Sequence, residues 1–128
     1  ANFKWDVMKG NTSLLKIYIS ASDMIGKNLL YEEIVREARD FGLGGATVFR
    51  GILSFGASHS IHSVKMMFST NQVPVAVEIV DEGAKIEAFA GRVKTLLDKS
   101  EKGALVTIQH LEVLEYRRGK KYNEFANF

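Results

Sequence analysis

Three separated segments of this sequence set glycine beside a cation: Arg50-Gly51 running on to Phe55-Gly56, Lys102-Gly103, and Arg117-Arg118-Gly119-Lys120. Glycine lets a backbone approach a phosphate closely and turn its N–H groups toward it, and arginine adds a two-pronged, charge-assisted donor. Recognition of an anion by three pieces of chain is the chemistry such a pattern could support. Ordinary strand-end turns also combine glycine with a solvated cation, and spacing alone leaves both readings open.

Other chemistries find less support. His59 and His62 stand three apart, but a structural metal site uses about four ligands, and Gly56–Asn71 contains neither cysteine nor carboxylate. A metal-binding trimer using these histidines is kept as an alternative. His110 alternates with Val106, Ile108 and Leu114, which makes it a partly buried, hydrogen-bonded residue rather than a base. Ser54, Ser58, Ser60 and Ser63 lack a nucleophile-elbow context, and Glu82 and Glu87 read as solvated helix charges. Nothing in the chain calls for an enzyme. The absence of cysteine excludes disulfides and thiol catalysis.

The elements that must position these residues follow from periodicity. Leu14–Ser20 alternates, with Leu15, Ile17 and Ile19 on one side and Lys16 and Tyr18 on the other, as in a half-buried strand. Leu30, Ile34, Ala38 and Phe41 recur at helical spacing, giving a helix over Leu29–Phe41, with Asn28 as its cap and Gly42 at its C-terminal stop. Ala46–Phe55 reads as a second strand, Gly56–Val73 as a long loop, and Val75–Val80 as a third strand behind the only proline, Pro74. Asp81 then caps a helix over about Glu82–Asp98, striped by Ile86, Phe89, Val93 and Leu96, and Ala104–Tyr116 forms the last strand.

The order β-α-β-β-α-β is the ferredoxin-like α+β arrangement, a four-stranded antiparallel sheet with both helices on one face. Its second face is left bare and would carry Tyr18, Ala76 and one of Val48 or Val106. A bare, partly apolar face predicts self-association into a closed symmetric oligomer.

At 128 residues, 46% hydrophobic and 25% charged, the chain reads as one globular domain over 1–128, with an N-terminal arm over 1–13 and a basic tail over 117–128. A net charge of +2 does not ask for nucleic acid, no apolar run is long enough for membrane insertion, and the lack of cysteine makes a cytoplasmic protein the expectation. An RNA-binding module shares this element order and is a further alternative. Such modules stack bases on aromatic residues of the central strands, and Val75–Val80 has none.

The segment Gly45-Ala46-Thr47-Val48-Phe49-Arg50-Gly51, then Phe55-Gly56, Ile61-His62-Ser63 and Val75-Ala76-Val77-Glu78-Ile79-Val80-Asp81, resembles an uncharacterised bacterial and archaeal branch of PII-like proteins, a domain of unknown function related to the PII nitrogen-regulatory signalling proteins. The likeness spans roughly residues 12–118. It implies a homotrimer whose clefts between subunits bind a nucleotide, adenine nucleotides in PII relatives, or another anionic metabolite. It also implies a projecting loop, here Gly56–Val73, that engages a transporter or an enzyme. Carried over by position, Thr47 matches a threonine near the adenine, Phe55-Gly56 the end of a Gly-Phe-Gly loop base, Gly103 the turn before the last strand, and Arg117 an arginine of the phosphate-side tail. Arg50, Gly51, Lys102 and Arg118 complete the expected ligand-binding set.

The departures weaken the cradle. Ser54 stands for the first glycine, Ala57-Ser58 for an Arg-Gln pair, and Glu101-Lys102-Gly103 for Gly-Asp-Gly-Lys. Each lost charge-assisted contact is worth on the order of 1.5–3 kcal/mol, so a triphosphate should bind less tightly. No tyrosine lies between Gly56 and Val73, so uridylylation of a loop tyrosine has no acceptor there.

Overall fold

The computed structural model describes residues 11–55, 61–63 and 73–120, residues 55 and 61–63 by backbone only. Residues 1–10 of the arm expected over 1–13, most of the loop Gly56–Val73 with Gly56 and His59, and the tail beyond 120 lie outside the described residues, while Thr12 and Ser13, expected in the arm, are buried in the first strand.

In chain order the elements are β1 (Thr12–Ser20), a small hairpin of β2 (Met24–Ile25) and β3 (Asn28–Leu29), helix α1 (Leu30–Phe41), β4 (Thr47–Arg50), β5 (Leu53–Phe55), β6 (Ile61–Ser63), β7 (Pro74–Glu82), helix α2 (Gly83–Ser100) and β8 (Leu105–Leu111). Four strands form one antiparallel sheet in the order β4-β7-β1-β8. The alternation in β1 and β7 sends Leu15, Ile17, Ile19, Val75, Val77 and Ile79 to one side, where they are buried against Leu30, Ile34 and Ala38 of α1 and Ile86, Phe89, Val93 and Leu96 of α2. Each such side chain contributes roughly 1.5–3 kcal/mol on burial, so this single layer dominates the fold's stability. Phe89 is wholly buried and meets Phe41 edge to face at 5.4 Å. Arg92 of α2 grips Glu37 of α1 through both carboxylate oxygens, at 2.7 and 2.8 Å, and ties the helices together from outside.

Several expectations about element boundaries and caps need correcting. The strand read as Ala46–Phe55 is two strands. In the Gly51–Pro74 pair the Gly51 N–H donates to the Pro74 carbonyl at 2.8 Å, but proline has no N–H to return, so the ladder stops there. Beyond it β5 leaves the main sheet and pairs with β6, which lies inside the stretch read as loop. Asn28 does not cap α1: it belongs to β3, Leu29 occupies the cap position, and the Leu30 N–H is satisfied by the Asp23 carbonyl at 2.8 Å. Gly42 does end α1, with φ 93°.

Asp81 is not the cap of α2 either, because β7 continues through it, paired with Ser13, to Glu82. Its fully buried carboxylate accepts the Glu82 N–H through Oδ1 at 2.7 Å and the Gly44 N–H through Oδ2 at 2.7 Å. The last strand ends at Leu111 rather than Tyr116, since β1 begins at Thr12, opposite Leu111, and offers no partner beyond it. His110, expected to be partly buried, is exposed, with Nδ1 3.2 Å from the Ser13 hydroxyl.

Past Leu111 the chain becomes a strap that crosses from the β8 edge back toward β4, where the Tyr116 hydroxyl donates to the Gly44 carbonyl at 2.9 Å. Gly44 is thus held from both ends, by Asp81 on its N–H and by Tyr116 on its carbonyl.

Two tests follow from this geometry. A Cβ on Gly51 would sit 2.9 Å from Pro74 Cγ, so Gly51→Ala should cost about 1–3 kcal/mol in urea unfolding. Combining it with Pro74→Ala should recover at least about 0.5 kcal/mol as coupling, and strict additivity would show that the two residues do not touch. Tyr116→Phe should cost about 1 kcal/mol and speed amide exchange over 112–117 with the β1 and β7 amides unchanged. Unaltered exchange in the strap would contradict the latch.

Candidate ligand site

Residues paired across antiparallel strands point to the same side of a sheet, so the register assigns every side chain to a face. Val48 pairs with Val77 and Val106 with Ile17, which puts both on the helix-covered side, not on the bare one as expected. The bare face instead carries two levels. One level runs Leu105, Tyr18, Ala76, Phe49 across the four strands, and the next runs Thr107, Lys16, Glu78, Thr47. Tyr18, Phe49 and Leu105 are 42, 52 and 58% exposed, so the first level is an apolar surface open to solvent. In the second, Lys16 Nζ lies 3.3 Å from Glu78. The hydrogen bond to Glu78 raises the Lys16 ammonium above its ordinary range, so it stays charged at neutral pH.

On the β4 side of this face the strap borders a shallow, open concavity of about 440 Å³ lined by Gly44 to Thr47, Phe49, Glu78, Val80, Val113, Glu115 and Tyr116. That volume suits a small organic ligand or part of one. Its charged lining is two carboxylates, each held by a cation that stands outside the lining: Glu78 by Lys16, and Glu115 by Arg117. The concavity therefore presents hydroxyl, carboxylate and backbone groups beside the rings of Phe49 and Tyr116, and among the described residues no cation lines it.

The expected site residues fall into separate places within one chain. Thr47 lines the concavity, and Arg117 borders it through Glu115. Arg50 and Gly51 close β4 at the far end of the sheet, and Lys102 and Gly103 precede β8 at that same end, on the opposite edge. Three strand spacings, roughly 14 Å, separate those two clusters. Arg118 follows the latch at the other end, Phe55 is described by backbone only, and Gly56 lies outside the described residues. One chain therefore joins Thr47 to the strap but does not bring the three cation-and-glycine pieces together.

Sequence reasoning missed Asp81 as an anchor, Tyr116 as a latch, and Glu78 and Glu115 as lining. The Gly44-Gly45 doublet was a local signal for a turn there; Tyr116 carried none, because its partner is 72 residues away. Among the described residues no group of three or more His, Cys, Asp or Glu is placed to hold a metal ion, and no helix is long and apolar enough to cross a membrane.

Comparison with known proteins agrees with this architecture. Residues 12–113 match the model of the DUF190 family, described as Uncharacterized ACR, COG1993. A UPF0166 protein of Aquifex aeolicus (strain VF5) is 33% identical over 101 residues, covering 79% of this chain and 91% of that protein. Among solved structures, CPII, a nitrogen regulatory PII-like protein from Thiomonas intermedia K12 bound to ADP, AMP and bicarbonate, superposes with a TM-score of 0.62 at 12% identity, over 80% of this chain and 87% of that one. A DUF3240-family protein from Shewanella baltica OS155 superposes with a TM-score of 0.56 at 14% identity, over 87% and 97% of the two chains. At such identities the superpositions speak for the fold alone, whereas the family match covers most of the sequence. This chain belongs to the DUF190 family, and its fold is PII-like.

Proposed function

We propose that this protein is a non-catalytic PII-like regulatory or sensor protein. It works as a homotrimer, binds a nucleotide or another anionic metabolite in clefts between subunits, and presents residues 56–73 to a protein partner, a transporter or an enzyme. The observation that carries this reading is the placement of Arg50-Gly51 and Lys102-Gly103 at one end of the sheet but on its opposite edges.

Neither cluster alone is a phosphate cradle. The sheet alternates direction from β4 to β8, so laying β8 of one copy beside β4 of the next continues the antiparallel order. That join sets Lys102-Gly103 of one copy against Arg50-Gly51 of its neighbour, and a head-to-tail contact of this kind gives a ring when the rotation between copies is one third of a turn. Both edges lack a partner strand among the described residues, and β8 exposes Leu105 on one face and Val106 and Ile108 on the other, which supports a seam at this edge. The relative that superposes over 80% of this chain was solved with ADP and AMP, which favours adenine nucleotides as the first ligands to try.

Isothermal calorimetry with AMP, ADP and ATP tests the reading on an assembly of confirmed mass. Binding is expected, and Arg50→Ala and Lys102→Ala should each weaken it by about 10-fold or more if both cations reach one phosphate group. No heat with any of the three in a confirmed trimer removes the nucleotide. Binding unaffected by either substitution removes the shared cleft.

A further inference from the structure

We infer that the helix-side face of β8 is a docking surface for residues 1–10 of the same chain, with Phe3, Trp5 and Val7 supplying the apolar side chains that cover Val106 and Ile108. The inference holds whether or not copies assemble, since a seam along the β8 edge leaves this face of the strand to be covered separately.

Val106, Ile108 and His110 pair with Ile17, Leu15 and Ser13, so they point to the side of the sheet on which the helices lie. The cover stops short of them. Val106 and Ile108 are 38 and 43% exposed, whereas Leu15 and Ile17 beside them are fully buried. Helix α2 packs on β1 and β7, and α1 on β7, which leaves the outermost strand as an apolar flank of the core.

The two ends of the chain could reach that flank, and the structure sends them to opposite edges of the sheet. The strap carries the C-terminal end across to β4, where Tyr116 ties it to Gly44. The N-terminal end enters β1 directly beside β8, with Thr12 opposite Leu111. Asn11 is pinned at the corner where β7 turns into α2: the Gly83 N–H donates to its carbonyl at 3.0 Å, and a Cβ on Gly83 would sit 3.0 Å from its Oδ1. The arm therefore attaches one strand away from the face it is to cover.

Its sequence suits the task. Phe3, Trp5 and Val7 alternate with Lys4, Asp6 and Met8, the same period of two that spaces Val106 and Ile108, and Gly10 supplies freedom for a turn ahead of Asn11. Val106 lies five residues along β8 from Leu111, roughly 17 Å, and ten extended residues reach about 33 Å. The family match begins at residue 12, so the arm lies outside the span shared with the family.

Trp5 is the only tryptophan in the chain, so its fluorescence reports on the arm in the intact protein. Acrylamide should quench it several-fold less in native than in urea-unfolded protein, and Ile108→Arg should restore the quenching of the unfolded chain while circular dichroism shows the fold intact. The chain has no cysteine, so a Val7→Cys, Ile108→Cys double variant can be joined by a bismaleimide of about 10 Å reach, the spacing of packed β layers. The expected product on a denaturing gel is a crosslink within one chain, and this arm of the test stays decisive should Ile108→Arg unfold. Native Trp5 as open to quenching as in urea overturns the inference, as does shielding that a folded Ile108→Arg variant leaves unchanged. Crosslinks only between two chains overturn it as well, because a second copy would then supply the cover.

Discussion

Two helices can shield a sheet from one side only, and this constraint shapes everything else in the molecule. Here α1 and α2 bury Leu15, Ile17, Val77 and Ile79 of the two central strands, and the opposite side keeps Tyr18, Phe49 and Leu105 in water. The strand β8 fares worse than the others. Its residues 105–110 are exposed on both faces, so among the described residues β8 is held by its ladder with β1 and by the side-chain bonds of Thr12 to Leu111 and Ser13 to His110. A hydrophobic layer this one-sided leaves an apolar surface and two sheet edges to be managed, and a symmetric assembly manages both at once.

Much of this architecture was legible in the residues. The alternation of Leu15, Ile17 and Ile19 and the stripes of α1 and α2 name the buried side chains, because burial on one side of a regular element leaves a period in the sequence. Gly42 marks its helix end, because an αL residue with φ 93° favours glycine. What escaped depends on pairing between distant segments. Asp81 before a helix has the same local sequence as a cap, and only the ladder with Ser13 shows it to be a strand residue turned inward toward Gly44. Val48 and Phe49 are both apolar, so which one faces the helices is decided by register with Val77 and Ala76, not by composition. The break at Gly51 needs Pro74, 23 residues on, to be seen.

The site shows the same division. Thr47 was singled out through its family-like surroundings, and the structure places it on the wall of the concavity. The opposite wall was not singled out, because the strap from Glu112 to Tyr116 has no periodic signal and its Tyr116 hydroxyl bonds Gly44, far away in the sequence. The two carboxylates line that space, whereas the Arg50-Gly51 and Lys102-Gly103 clusters stand at separate corners of the sheet, and only the proposed assembly would bring those clusters together.

The account therefore turns on whether copies join. Light scattering coupled to size-exclusion chromatography measures this most directly. A mass near three times the 14.3 kDa of one chain is the predicted result. A folded species of 14.3 kDa at every accessible concentration would contradict the account, because the exposed face and both edges would then be tolerated in water and no cleft between subunits would exist.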